Sequence, residues 1–336
     1  TDDGITVVHF DKVVPNPTIQ GIEEAVALVR QERVEVLLAV GGGSSLDTAK
    51  SISLFHGMDH IDWPQVFSSY TSAFAQYDAP SGSVLPLIAV PTTAGTGSEL
   101  TQAMVISDPD KNAKECIYHD KVFAKEAVID VELMATLPPR MTAVTGFDAF
   151  THAFESYLRE LASPYTRLIG MKSMSLILTS LPKLCQDPKN MELRENMALA
   201  AMFAGISLGN ASACLPHPLS EIMGGVAPRL AHGQCLATIY PQFLRWQCTQ
   251  SVEKCADVAR LLDQSLLHVP DQEAASALPQ LMVRFLQDVG LYHSFRELGV
   301  TEEEMAEALK APVLNFLPFA PKDVMVGILR DSYDFA

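Results

Sequence analysis

The sequence predicts two parts of different class, an α/β part followed by an all-α part, meeting near Pro138-Pro139. Before that point, short apolar runs alternate with amphipathic helical patterns. After it, long stretches at helical spacing follow one another with few strand signals. No internal repeat interrupts this order, and no Gly- or Ser-rich linker separates the parts.

In chain order, the first part offers a strand-like run at Ile5 to Val8 and then a helical pattern marked by Ile22, Val26 and Val29. A second run, Val34 to Val40, leads into GGGSSLDTAK, Gly41 to Lys50, which reads as strand, glycine turn and helix. Glycines there let the backbone approach a phosphate closely, and the new helix adds unpaired N–H groups and the positive end of its dipole. The pattern is not GxGxxG, so the usual dinucleotide fingerprint is absent. A further run, Leu85 to Val90, ends in PTTAGTGSE, Pro91 to Glu99, rich in hydroxyls and again glycine-bearing. Two such loops at the carboxyl ends of strands favour a dinucleotide, because both fall on one edge of the sheet. Ala127 to Ile129 closes the strand series. The second part reads as helices over Ala143 to Leu161, Leu168 to Leu181, Glu192 to Leu208 and Gln234 to Trp246.

Asp148 and His152 lie four apart in one of these helical stretches, so both side chains leave one face and can bind one ion. His217 and His232 stand beside the turn residues Pro216 and Gly233, where a loop or helix end can bring an imidazole to the same place. Three imidazoles and a carboxylate suit Fe(II) or Zn(II) far better than calcium or magnesium. The competing reading of the Asp148/His152 pair alone is an ordinary surface pair.

Taken together, GGGSSLDTAK, PTTAGTGSE followed by VISD, AVIDVELMATLPPRMTAVTGFDAFTHAFE, and HPLSEIMGG with AHG resemble the iron-containing (group III) alcohol dehydrogenases, in family order over almost the whole chain. The resemblance implies the dehydroquinate synthase-like architecture of that family: an α/β dinucleotide-binding domain at 1–137 and an all-α metal-binding and catalytic domain at 138–336. Relatives carry another strand-helix unit ahead of the segment that starts here, so the first domain is expected to lack that unit.

The family's metal ligands, an Asp and three His, fall on Asp148, His152, His217 and His232. Where relatives read H-x-x-x-H, His217 takes the first position and Glu221 the second; the other register would leave Ala213 in place of a ligand. Carried over motif by motif, the NAD(P) contacts are Asn16, Gly42, Gly43, Ser44, Asp47, Thr92, Thr93, Thr96, Ser98 and Lys114, with Leu133 in the Val131 to Ala135 segment near the adenine. Asp47 also reads as a first-turn helix charge favoured by the dipole. Ala103 and Met104 fall where relatives have pocket residues near the nicotinamide.

The implied activity is hydride transfer between NAD or NADP and a small alcohol or aldehyde, with Fe(2+), or Zn(2+), as Lewis acid. Glu221 reads either as the catalytic group relaying the alcohol proton or as an acceptor that orients a ligand. Glu155, one turn beyond His152, reads either as a ligand-orienting group or as a plain helix-face carboxylate. Alternatives are a glycerol dehydrogenase- or maleylacetate reductase-like enzyme of the same superfamily and a non-catalytic, metal-stabilised NAD-binding protein.

Composition agrees with a compact enzyme. The chain has 336 residues, 48% hydrophobic and only 19% charged, which excludes a disordered protein. A formal charge of -16 makes nucleic acid and anionic membrane unfavourable partners. The six cysteines form no CxxC pair, which points to reduced thiols in a cytoplasm. A homodimer is expected from the resemblance.

Overall fold

The structure, a computed structural model, describes residues 4–335. These divide into two compact units, residues 4–92 with 98–130 and residues 93–97 with 131–335.

In the first unit, helix α1 (Ile19–Glu32) starts where the Thr18 hydroxyl accepts the Gly21 N–H at 3.1 Å, and it buries Ile22, Ala25, Val26 and Val29. Strand β1 (Leu37–Gly41), helix α2 (Gly43–Phe55), helix α3 (Trp63–Ser69) and strand β2 (Leu87–Pro91) follow. An antiparallel hairpin, β3 (Ala103–Asp108) with β4 (Ala113–Tyr118), and the short strand β5 (Glu126–Ala127) complete the unit. The order β1-β2-β5 is parallel, with Gly41 opposite Pro91. Both glycine-bearing loops therefore leave the same sheet edge, as expected. Ala39, Leu87 and Ala89 pack with Leu46 and Ala49 of α2. Leu38 and Val40, two apart and so on the opposite side of β1, are exposed at 65% and 54%.

Two expectations need correction in this unit. Ile5 to Val8 forms no strand; Ile5 and Val7 are largely exposed, so no burial rewards an ordered pairing there. The β3-β4 hairpin was not anticipated, although Met104, Ile106 and Ile117 alternate into the core and Asn112 closes the turn with φ 49°. Met104 is consequently a core residue and not a pocket wall.

The second unit is helical: α4 (Pro139–Leu158), α5 (Pro164–Gln186), α6 (Met191–Ala211), α7 (Pro216–Val226), α8 (His232–Gln250), α9 (Val252–Leu262), α10 (Asp271–Asp288), α11 (Glu302–Ala308) and α12 (Lys322–Tyr333). Prolines at the first turns of α4, α5 and α7 suit positions whose N–H has no intrahelical acceptor. Helix α4 is buried almost throughout. Its Phe147, Phe150 and Phe154 pack around Tyr240 and, for the first two, Phe285. Each such side chain contributes about 1.5–3 kcal/mol on burial. That packing holds Asp148 and His152 in one rigid helix.

By packing, the break between the two units falls after Asp130. The turn Val131–Met134, whose Met134 is buried, belongs with the helices. So does the loop 93–97, because Gly97, at φ 60°, lies so close to α6 that a Cβ would come within 2.5 Å of Gly205 Cα. Among the described residues no single helix is long and apolar enough to cross a membrane.

Candidate functional site

In the first unit, α2 begins at Gly43 with no side-chain cap, so its amino end presents backbone N–H groups and the positive end of its dipole. Gly41 carries φ 155°, and a Cβ there would collide with Ser45. Thr92 N–H donates to Gly41 O at 3.0 Å, which joins the ends of β1 and β2. Asn16, at φ 58°, donates its N–H to Ser44 Oγ at 3.2 Å. Asn16, Gly42, Gly43, Ser44 and Thr92 thus gather around one helix start, an arrangement able to hold phosphate.

Asp47 has a different setting from the one expected. Its Oδ1 accepts from Ser98 Oγ at 2.5 Å and its Oδ2 from Val105 N–H at 3.0 Å. Fully buried Lys50, which the sequence reading passed over, donates to Ser98 Oγ at 2.7 Å, Thr101 Oγ1 at 3.1 Å and Ala103 O at 3.0 Å. Burial pushes the Asp47 carboxyl up, against the charges of Lys50 and Lys114 and the bonds from Ser98 and Val105. Burial likewise brings Lys50 down to about 8, against the pull of Asp47 and Glu99. The polar atoms of Asp47 and Ser98 are engaged with protein groups, so what they offer the loops is position. Lys114 lies on β4, near enough for its charge to act on Asp47.

In the second unit, Asp148 and His152 project from α4 as their spacing requires. Oδ1 of Asp148 lies 3.7 Å from His152 Nε2, 3.9 Å from His217 Nε2 and 3.7 Å from His232 Nε2. Asp148, His217 and His232 offer ligand atoms that all lie within 4.8 Å of one another. His152 stands just outside that set, its ring stacked on His217 at 4.6 Å between centroids. Ligand atoms sharing an ion at about 2.1 Å in a tetrahedron stand about 3.4 Å apart. The three distances to Asp148 Oδ1 exceed that by about 0.3 to 0.5 Å, and His152, outside the 4.8 Å set, has further to move.

The ring nitrogens facing away from Asp148 explain why the others point toward it. Ser220 Oγ donates to His217 O at 2.9 Å, which leaves its lone pair for the Nδ1 proton of His232 at 3.0 Å. His217 Nδ1 lies 2.9 Å from Oε2 of Glu155. The backbone of Gly95, in the second loop, stands beside the His152 ring. Burial, with the neighbouring His217, holds His152 well below its ordinary value. For His217 burial acts downward too, but Glu155 and then Asp148 and Glu221 outweigh it and push the group up to about 8.

The donor set fits a metal ion on an observation independent of the motif. His217 Nε2 is buried and has no hydrogen-bond partner, which is costly for a polar atom unless a ligand completes it. Three borderline nitrogens and one carboxylate oxygen match Fe(II) or Zn(II). Thr93 and Thr96 lie in the loop that carries Gly95, and Leu133 is 42% exposed in the same unit. Glu221, one turn after His217 on α7, is close enough for its charge to raise His217. The sequence reading missed Ser220 and Tyr240; neither has a local signal, because each acts on a group brought near only by the fold.

Comparison with known proteins places the chain in a family. Residues 1–131 match the iron-containing alcohol dehydrogenase model and residues 142–333 match the carboxyl-terminal model of the Fe-containing alcohol dehydrogenase family. The chain is 34% identical to a choline dehydrogenase of Bacillus subtilis (strain 168), over 92% of its own length and 76% of the relative's. It is 32% identical to an NAD-dependent methanol dehydrogenase of Bacillus methanolicus, over 90% and 77%. Among solved structures, an archaeal halo-thermophilic alcohol dehydrogenase from a Red Sea brine pool superposes with a TM-score of 0.88 at 27% identity, over 98% of this chain and 85% of that one. With both parts of the chain matched, it belongs to the iron-containing alcohol dehydrogenase family and is a metal-dependent alcohol dehydrogenase that uses a nicotinamide cofactor.

Proposed function

We propose that the chain transfers hydride between NAD and a small primary alcohol or its aldehyde, with Fe(II) held by Asp148, His152, His217 and His232. The observation that carries this reading is the meeting of three imidazole Nε2 atoms on Asp148 Oδ1, with the buried His217 Nε2 lacking any protein partner. A bound ion there supplies Lewis acidity, which lowers the pKa of an alcohol and polarises an aldehyde carbonyl. Choline, methanol and 1,3-propanediol, the substrates in the names of three relatives, share a primary hydroxyl, which supports that substrate class. NAD is preferred over NADP because the methanol dehydrogenase relative is NAD-dependent. Zn(II) is the competing ion.

Each group of residues has a part in this reading. The open amino end of α2, with Asn16, Gly42, Gly43, Ser44 and Thr92, binds the pyrophosphate, and Lys114 adds positive charge. Asp47 and Ser98 hold the loops in register. Thr93, Thr96 and Leu133 line the cofactor within the helical unit, where Gly95 brings the second loop to His152. Glu221 takes the alcohol proton and passes it to water. The enzyme works as a homodimer in the cytoplasm, with neither nucleic acid nor membrane as partner; the charge of -16 and six free thiols are consistent with that.

The test is oxidation of NADH and NADPH with a panel of small aldehydes, by anaerobically stripped protein before and after Fe(II) or Zn(II) is added. Activity restored by Fe(II) with NADH bears the proposal out. Metal and cofactor binding without turnover across the panel would favour the non-catalytic alternative. A Glu221→Gln variant with unchanged metal content and an unchanged pH-rate profile removes the relay.

A further inference from the structure

We propose that Glu155 is a positioning residue that fixes the His217 ring, so that Nε2 faces the metal, and thereby sets the metal affinity of the site. The inference rests on the reading that Asp148 and the three histidines hold an ion.

Glu155 lies on α4 one turn beyond His152 and is completely buried. A buried carboxylate is costly unless donors match its lone pairs. Here two hydrogen bonds and a close imidazole do. Oε2 accepts the backbone N–H of Cys214 at 2.9 Å and faces Nδ1 of His217 at 2.9 Å, while Oε1 accepts the Tyr240 hydroxyl at 3.4 Å. Cys214 precedes α7 in the chain, so one oxygen holds both the backbone leading into that helix and the ring that the helix carries near its start.

An imidazole that gives its Nδ1 proton to a carboxylate keeps the lone pair on Nε2, and the carboxylate raises the basicity of that lone pair. Nε2 is buried without a hydrogen-bond partner, 3.9 Å from Asp148 Oδ1, whereas Nδ1 has the Glu155 carboxylate at 2.9 Å. The contact with Glu155 therefore accounts for its direction. His232 is held instead by the neutral hydroxyl of Ser220. A neutral acceptor orients its ring but adds no charge.

The experiment is a titration of metal-stripped protein with Zn(II) or Co(II) against a competing chelator, for wild type, Glu155→Gln and Glu155→Leu. Glu155→Leu removes charge and acceptor together and is expected to weaken binding by about 10- to 100-fold. Glu155→Gln keeps an oxygen for the two N–H donors and should fall between it and wild type. A folded Glu155→Leu protein with wild-type affinity overturns the inference while leaving the metal site in place. A wild-type protein that binds no metal overturns the metal reading and this inference with it.

A second readout needs no variant of Glu155. In Zn(II)-loaded wild type, nitrogen-edited NMR should show a slowly exchanging proton on His217 Nδ1, assigned by its loss in His217→Gln. A proton on Nε2 instead, with the metal on Nδ1, overturns the inference whether or not Glu155→Leu folds.

Discussion

Nζ of Lys50 lies 2.7 Å from Oγ of Ser98, and that bond ties the helix after the first glycine turn to the end of the second loop. Ser98 passes the tie on to Asp47, and Thr101 and the Ala103 carbonyl take the remaining donors of the ammonium. Removing the lysine leaves Asp47 buried without its counter-charge. Lys50→Met is therefore expected to destabilise the protein by about 3–5 kcal/mol, the range for breaking a buried pair from one side. The Michaelis constant for NADH should rise more than kcat falls, because the loops lose their register while the helical unit keeps its side chains. Urea unfolding and steady-state kinetics check the two parts; a loss under 1 kcal/mol would show that the tie carries little.

The same lysine makes a pH prediction. It ordinarily titrates near 10.5, and burial brings it to about 8. Between those values the unfolded chain still holds a proton that the folded chain has released. Stability contributed by Lys50 is then flat below about pH 8 and rises with pH toward 10.5, by on the order of 3 kcal/mol when complete. Buried Tyr157, Cys214 and Cys255 and partly buried Cys185 are all shifted up and act in the opposite sense over this range. The comparison must be made between wild type and Lys50→Met: their stability difference is expected to widen from pH 8 to pH 10. A constant difference would mean that the lysine is hydrated, not buried.

How legible these features were depended on how local they are. Asp148 and His152 could be paired from the sequence because four residues make about one helical turn, and the helix forms where its periodicity says it should. The meeting of His217 and His232 with them depends on how α7 and α8 pack, which no spacing encodes; turn residues and family motifs pointed to it. Glu155 could be read as orienting a ligand or as a plain helix-face carboxylate, and no spacing decides between the two, since its partners Cys214 and Tyr240 are distant in the chain. Lys50 was passed over for the opposite reason: a lysine on a helix is ordinarily solvated, and only the tertiary structure buries it. The β3-β4 hairpin escaped because consecutive Lys114 and Glu115, on opposite faces of β4, break its apolar pattern, whereas exposed Ile5 to Val8 has strand composition but nothing to bury against.

Gly97 tests whether the second loop must lie where it does. Its φ of 60° belongs to the left-handed region, and a Cβ would meet the backbone of Gly205 in α6. Gly97→Ala adds roughly 1–2 kcal/mol of backbone strain and a contact that only displacement of the loop can relieve. A destabilisation of about 2–4 kcal/mol is expected, with a raised Michaelis constant for cofactor. Gly205→Ala crowds the same contact from the other side, so the double variant should lose less than the sum of the two. Additive losses, measured by denaturant unfolding, would show that the two glycines do not share one contact.

Metal removal tests the site through folding and not through turnover. An ion that binds only the folded chain stabilises it by about 2.7 kcal/mol when free metal is a hundredfold above Kd. For a unit of this size that corresponds to roughly 5–10 °C in Tm. Chelation should lower the transition by that amount, and Fe(II) or Zn(II) should restore it. Asp148→Ala removes the atom that all three imidazoles approach, so its transition should respond to neither chelator nor metal. The variant should also keep most of the stability of stripped wild type, because the carboxylate's burial cost disappears along with its contacts. Calorimetry alongside metal analysis reads all three proteins. An unchanged wild-type transition after the ion has demonstrably left would mean that Asp148 and the histidines do not hold it.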